Sequence, residues 1–187
     1  MLGGFVRAFR TPDLRRKLLF TLTIIALFRV GSFLPTPGIS YRNVQTCLSA
    51  AGESTGVLGL INLFSGGALL QLSVFALGIM PYITASIIVQ LLRVVIPRFE
   101  TLYKEGQTGQ AKLTQYTRYL TIGLAVLQST TVLAVARSGN LFQGCTAPVI
   151  PDDTVLNFVI MVITMTAGTG MVMWLGELIT EHGVGNG

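Results

Sequence analysis

The chain has 187 residues, is 51% hydrophobic and only 11% charged, and has a mean hydropathy of +0.66. A water-soluble domain carries roughly 25% charged residues, so this composition excludes an ordinary soluble globular protein. A formal net charge of +5 raises nucleic acid as a ligand, but the basic residues sit in short connections between apolar runs and form no continuous patch.

A membrane-crossing helix needs about 20 apolar residues to traverse a hydrocarbon core of ~30 Å. Four runs meet that need, over 18–36, 71–96, 119–136 and 154–176. The expected fold is therefore an all-α polytopic helix bundle, with a short helix over 57–67 for which a re-entrant placement is one of two readings. The segment before the first run, 1–17, holds "FVRAFRTPDLRRKL". It reads as an amphipathic helix on the membrane surface or as a solvated basic tail. No cleavable signal peptide is expected, because the first run outlasts an h-region and "SFLPTPG" is a poor cleavage site. Arg29 lies inside this run and is expected to snorkel outward or to pair within the bundle, in a structural role.

The first connection, 37–56, contains Cys47, and the third, 137–153, contains Cys145. Their spacing has no metal-ligand pattern. Two free thiols is the default expectation, with a disulfide between them as the alternative.

The stretch "STGVLGLINLFSGGALL" then poses a problem. Ser54 or Thr55 can cap a helix start, and Val57 to Phe64 is eight residues, about 12 Å of helix. Gly66 or Gly67 can take the left-handed conformation that ends it. Such a helix is too short to span, and its breaker cannot face lipid with unpaired backbone groups. Two readings stay open: an element that dips into a cavity from outside, or an interfacial helix on the outer leaflet.

The run over 71–96 has its midpoint at residues 83–84. Ile79, Ile83, Ser86 and Gln90 recur at helical spacing and share one stripe. The stripe is aliphatic at mid-membrane and polar toward one end. A pore lining accounts for it; so does helix–helix packing with Ser86 and Gln90 bonded to neighbours. Gly78 and Pro81 interrupt or kink the helix near its middle. Gln128 in the third run reads as interhelical glue. In the fourth, Thr164, Thr166, Gly168, Thr169 and Gly170 suit close packing, and Trp174 suits an interface belt.

Ten basic residues flank the start of the first run and the connection over 97–118, and only Arg42 and Arg137 lie in the other two connections. The positive-inside rule puts the N-terminus, the 97–118 connection and the 177–187 segment in the cytoplasm. Contact of these loops with ribosomal RNA stays open. No catalytic constellation is visible: the single histidine, His182, lies beyond the fourth run, and no acidic residue lies within one. No metal site and no cofactor are expected, and the chain is not expected to be an enzyme.

Four blocks carry a resemblance: "RRKLLFTLTIIALFRVGSFLPTPGI", "NLFSGGALLQLSVFALGIMPYITASIIVQLL", "KEGQTGQAKLTQYTRYLT" and "MWLGELITEHGVGNG". From about Leu14 to Gly187 the chain resembles the bacterial SecY family, the central subunits of the Sec protein-conducting channel. The connections at 41–56 and 137–153 do not carry the likeness. The resemblance implies a channel that passes unfolded secretory chains across the plasma membrane and membrane segments laterally into it. It identifies the short helix as a plug, comprising Val57, Leu58, Leu60, Ile61, Asn62, Leu63, Phe64, Ser65, Gly66 and Gly67. It makes Ile79 and Ile83 part of a pore ring, and Thr84, Ser86, Gln90 and Gln128 lateral-gate positions. It implies as partners SecE and SecG subunits, a SecA motor ATPase or a translating ribosome, signal sequences, nascent chains and the lipid bilayer. The family has about ten spans, so the chain is expected to be the N-terminal part of a longer protein. The competing reading is a fragment of an inverted-repeat solute transporter, which would want polar groups at mid-membrane where this chain has isoleucine.

Overall fold

The structure is a computed structural model that describes residues 11–51, 60, 63, 65–139, 141, 145, 147–152 and 154–184. Six helices are named among them: α1 Pro12–Ser32, α2 Tyr41–Ala51, α3 Met80–Val95, α4 Pro97–Lys104, α5 Gln107–Arg137 and α6 Val155–His182. No strand is present among the described residues; the one bridge among them is an isolated antiparallel pair, Pro35 with Ser73. α5 and α6 are long and apolar enough to cross a membrane, and α3 with α4 makes a third candidate if that bent pair counts as one span.

Proline and glycine set the helix starts and breaks. α1 begins with Pro12 in its first turn, where a missing N–H costs nothing. It ends at Ser32, short of the apolar run's end at Thr36, because Leu34 and Thr36 bond elsewhere. Val74 N–H donates to the Leu34 carbonyl (2.9 Å) and Thr36 N–H to the Leu72 carbonyl (3.2 Å).

The second apolar run behaves differently from a continuous helix. α3 starts at Met80 rather than at Gln71, with Pro81 in its first turn. Residues 65–79 instead form a chain of tight turns. Leu72 has φ +47° and Gly78 φ +54°, and a left-handed residue cannot continue a right-handed helix. Hydropathy marks the right stretch, but it does not register backbone handedness.

This irregular segment is enclosed by protein. Ala68, Leu69, Leu70, Leu72, Phe75, Ala76 and Leu77 are all buried. Two glycines make the enclosure possible. A Cβ at Gly31 in α1 would overlap the Phe75 ring, and one at Gly168 in α6 would overlap the Val74 carbonyl. The segment thus lies between α1 and α6 at near-backbone distance, and Phe28 stacks on Phe75 (5.7 Å between centroids, 7° between planes).

α3 and α4 meet at 101°. Ile96 is extended before Pro97 (φ −105°, ψ 115°), as the proline ring requires of its predecessor. Gly106 then turns the chain into α5 at φ +77°, ψ −137°. α5 runs well past the expected 119–136, starting at Gln107; its first turns are polar but helical. α4 carries Glu100 paired with Lys104 at 2.6 Å, whose hydrogen bond and charge hold the Glu100 carboxyl below its ordinary value.

The core of buried apolar residues joins this irregular segment to α2, α5 and α6. α2 packs Val44 and Cys47 against Leu72, Leu133, Val149, Met161 and Met165, all buried. Here the expectation of free thiols is corrected: Cys47 and Cys145 form a disulfide, with Cα atoms 5.3 Å apart. α2 brings Cys47 inward, and Ser40 N–H donates to the Val149 carbonyl (3.0 Å), drawing the two connections together.

Candidate functional site

The candidate site is where α3 emerges from the irregular segment. Ile79 is the residue before α3, and Ile83 N–H donates to its carbonyl at 3.1 Å. The two isoleucines therefore stand one turn apart on one side of the helix. Ile83 is 43% exposed while Ala85 and Val89 are buried. The packing face of α3 is thus the Ala85–Val89 side; Ile83 is turned away from the chain's own core and Ile79 is half-buried.

Further along, Gln90 Nε2 donates to Ser86 Oγ at 3.3 Å. Both line a cleft of about 480 Å³ with Tyr82, Arg93, Tyr103 and Thr117. Arg93 covers the Tyr103 ring at 3.9 Å, a cation–π contact that holds the wall of this cleft. Thr84 is turned inward on its own helix, its hydroxyl donating to the Met80 carbonyl at 2.9 Å.

Gln128 lies elsewhere. It lines a mainly apolar cleft of about 330 Å³ with Ser65, Leu69, Leu77, Met80 and Thr131, between the glycine breaker and α5. The four polar positions thus divide: Ser86 and Gln90 share one cleft, Gln128 borders another, and Thr84 bonds its own backbone.

Of the short helix, Val57, Leu58, Ile61, Asn62 and Phe64 lie outside the described residues. Leu60 and Leu63 are helical and exposed, at 62% and 77%. Ser65, Gly66 and Gly67 are described. Gly66 has φ +65° and Gly67 φ +86°, the left-handed pair that a helix end favours. Gly66 N–H donates to the Leu63 carbonyl (3.1 Å), and Ser65 Oγ accepts from Leu69 N–H (3.0 Å).

Sequence reasoning names the partner in neither of two contacts, although pairing of Arg29 within the bundle is one of its expected outcomes. Arg29 Nη1 donates to the Gly66 carbonyl at 2.5 Å. Arg118 grips Glu177 with two bonds, Nε to Oε1 at 2.8 Å and Nη2 to Oε2 at 2.7 Å, and so ties α5 to α6. The signal for the second is a lone acid at the end of one apolar run and an arginine at the start of another. Their pairing needs the antiparallel packing of the two helices. Among the described residues, no group of three or more His, Cys, Asp or Glu side chains is placed to hold a metal ion.

The SecY family model matches residues 73–187. The chain is 64% identical, over 189 aligned positions, to the protein translocase subunit SecY of Streptomyces coelicolor. It is 60% identical, over the same length, to the protein translocase subunit SecY of Mycobacterium tuberculosis. Each alignment takes in all of this chain and 43% of the relative, so the chain spans less than half the length of the relatives it matches. With more than half of its residues under the family model and every residue under alignments of this identity, the chain belongs to the SecY family.

Proposed function

We propose that this chain forms part of a protein-conducting channel of a bacterial plasma membrane, passing unfolded secretory chains across it and membrane segments sideways into it. The observation that carries the proposal is the isoleucine pair. Ile79 and Ile83 stand one turn apart, at the end of the enclosed irregular segment, with Ile83 left uncovered by the chain's own core. A narrow apolar constriction sheds water and resists ions, and aliphatic side chains yield to any passing side chain without binding it. A solute site wants polar groups at that depth, and the relatives are named translocase subunits; the solute-transporter alternative has no comparable support.

In this reading residues 57–67 are the plug, and the turns of Ser65–Gly67 are the joint on which it is carried. Ile79 and Ile83 contribute to the ring. Ser86, Gln90, Thr84 and Gln128 border the exit toward lipid. The energy comes from a partner, a SecA motor or a translating ribosome, and SecE and SecG subunits complete the channel. This chain hydrolyses nothing. The N-terminus and the 97–118 connection face the cytoplasm, which puts the disulfide-bearing connections on the oxidising side.

The test is photo-crosslinking from position 83 of the full-length protein in native membranes, with a secretory chain stalled on a ribosome. A crosslink to the stalled chain that disappears when its signal sequence is deleted is the expected result. Crosslinks to lipid or neighbouring helices alone would overturn the reading.

A further inference from the structure

We infer that Arg29 is a positioning residue for the channel's seal: its guanidinium caps the glycine breaker and fixes where the short helix is held. The inference rests on the channel reading above and adds a residue to it.

An arginine in an apolar helix is costly unless it meets a partner. Arg29 has a partner 37 residues away, the carbonyl of Gly66. That carbonyl belongs to the turn that Gly66 N–H closes on the Leu63 carbonyl. A buried or half-buried carbonyl at a turn needs a donor, and a guanidinium supplies a charge-assisted one. Phe33 steadies the donor: the guanidinium carbon lies 4.9 Å from its ring centroid. The surrounding contacts give the bond a fixed base. Phe28 stacks on Phe75, and Gly31 admits the Phe75 ring against α1. The neighbours of Arg29 in α1 thus hold the turns after the breaker, while Arg29 holds the breaker itself. Next to it Gly67 stands at φ +86°, with nothing within 4 Å of where a Cβ would stand.

The experiment measures resting ion flux and signal-sequence dependence of the full-length complex in proteoliposomes, comparing wild type, R29K, R29M and I83N at matched membrane levels. R29M is expected to raise resting flux several-fold and to pass chains with defective signals; R29K, which keeps a cationic donor, is expected to stay within about twofold of wild type, as retention of the hydrogen bond implies. G66A places a Cβ 3.5 Å from Arg29 Nη1 in a strained turn, so R29M combined with G66A should leak no more than the larger single variant. Wild-type tightness of R29M beside a leaking I83N, or additive leaks in the R29M–G66A pair, would overturn the inference and leave the channel reading intact. No leak from R29M or I83N would overturn both. Should R29M fail to accumulate, F33A decides, since it removes the stacking and keeps the charge: a raised flux supports the inference and wild-type tightness overturns it.

Discussion

Single side chains in this protein act mainly by permitting or tying close approach. Gly31 and Gly168 are required because a Cβ would occupy the space of Phe75 and of the Val74 carbonyl. Both glycines are visible in the sequence, and the small residues around Gly168 suit a packing role, but neither partner can be named from sequence because both belong to the irregular segment. The Arg118–Glu177 pair works in the opposite sense, drawing α5 and α6 together by a two-pronged bond. Arg118 is 43% and Glu177 20% exposed, so water screens part of the attraction. Glu177→Gln removes the charge and one acceptor, and is expected to cost about 1 kcal/mol. Thermal unfolding of the purified full-length protein in detergent, with and without the substitution, measures that cost; an unchanged midpoint would mean the pair contributes nothing net.

At the scale of elements, the main lesson is the interval 65–79. Its composition is that of a membrane helix, yet its backbone is a run of turns with left-handed residues at Gly66, Gly67, Leu72 and Gly78. The stretch after α1 pairs with it: the Leu34 carbonyl accepts from Val74 N–H and the Leu72 carbonyl from Thr36 N–H, while α1 and α6 pack against it. This matches the requirement that irregular backbone at membrane depth be buried in protein or line a cavity. The α3–α4–α5 corner relies on glycine in the same way. Gly106 sits at φ +77°, ψ −137°, a region closed to side-chain-bearing residues. Gly109 then brings α5 against the Leu102 carbonyl with no room for a Cβ. Gly106→Ala is expected to cost about 1–3 kcal/mol and to loosen the corner, read as faster amide exchange over 97–110. Exchange at the wild-type rate would show that the turn relaxes without glycine.

For the whole molecule, the disulfide is the feature that links distant parts. It joins residues 98 apart in sequence and closes a loop that contains α3, α4 and α5. Restricting the unfolded chain by a loop near that size stabilises by about 4–5 kcal/mol in the chain-entropy picture, and disulfides typically deliver about 2–4 kcal/mol. Cys47→Ser with Cys145→Ser is expected to lower the unfolding midpoint of the full-length protein accordingly. In right-side-out vesicles, a membrane-impermeant maleimide should label both thiols only after reduction. Labelling without reduction would mean the pair is not bonded in the membrane, and labelling only from the inner face would reverse the proposed orientation. Adjoining the pair is a cleft of about 300 Å³ lined by Arg137, Ser138, Gly139 and Pro148, which gives a small reductant access.

What the sequence determined by itself is what depends on local chemistry. An apolar, charge-poor composition made this a helical membrane protein, and the glycine pair at 66–67 marked a break. The 3.6-residue period set Ile79, Ile83, Ser86 and Gln90 along one stripe. The four quoted blocks sufficed for the family. What only the tertiary structure decided involves partners far apart in the chain. The late start of α3 at Met80 follows from turns stabilised by α1 and α6. The division of Gln128 from Ser86 and Gln90 depends on how α5 packs between two clefts. The bond from Arg29 to Gly66, the Arg118–Glu177 grip and the Cys47–Cys145 link each need two elements brought together by packing. Hydropathy measures the preference of a residue for its solvent, and periodicity its face on a helix; neither specifies which distant group will occupy the space beside it.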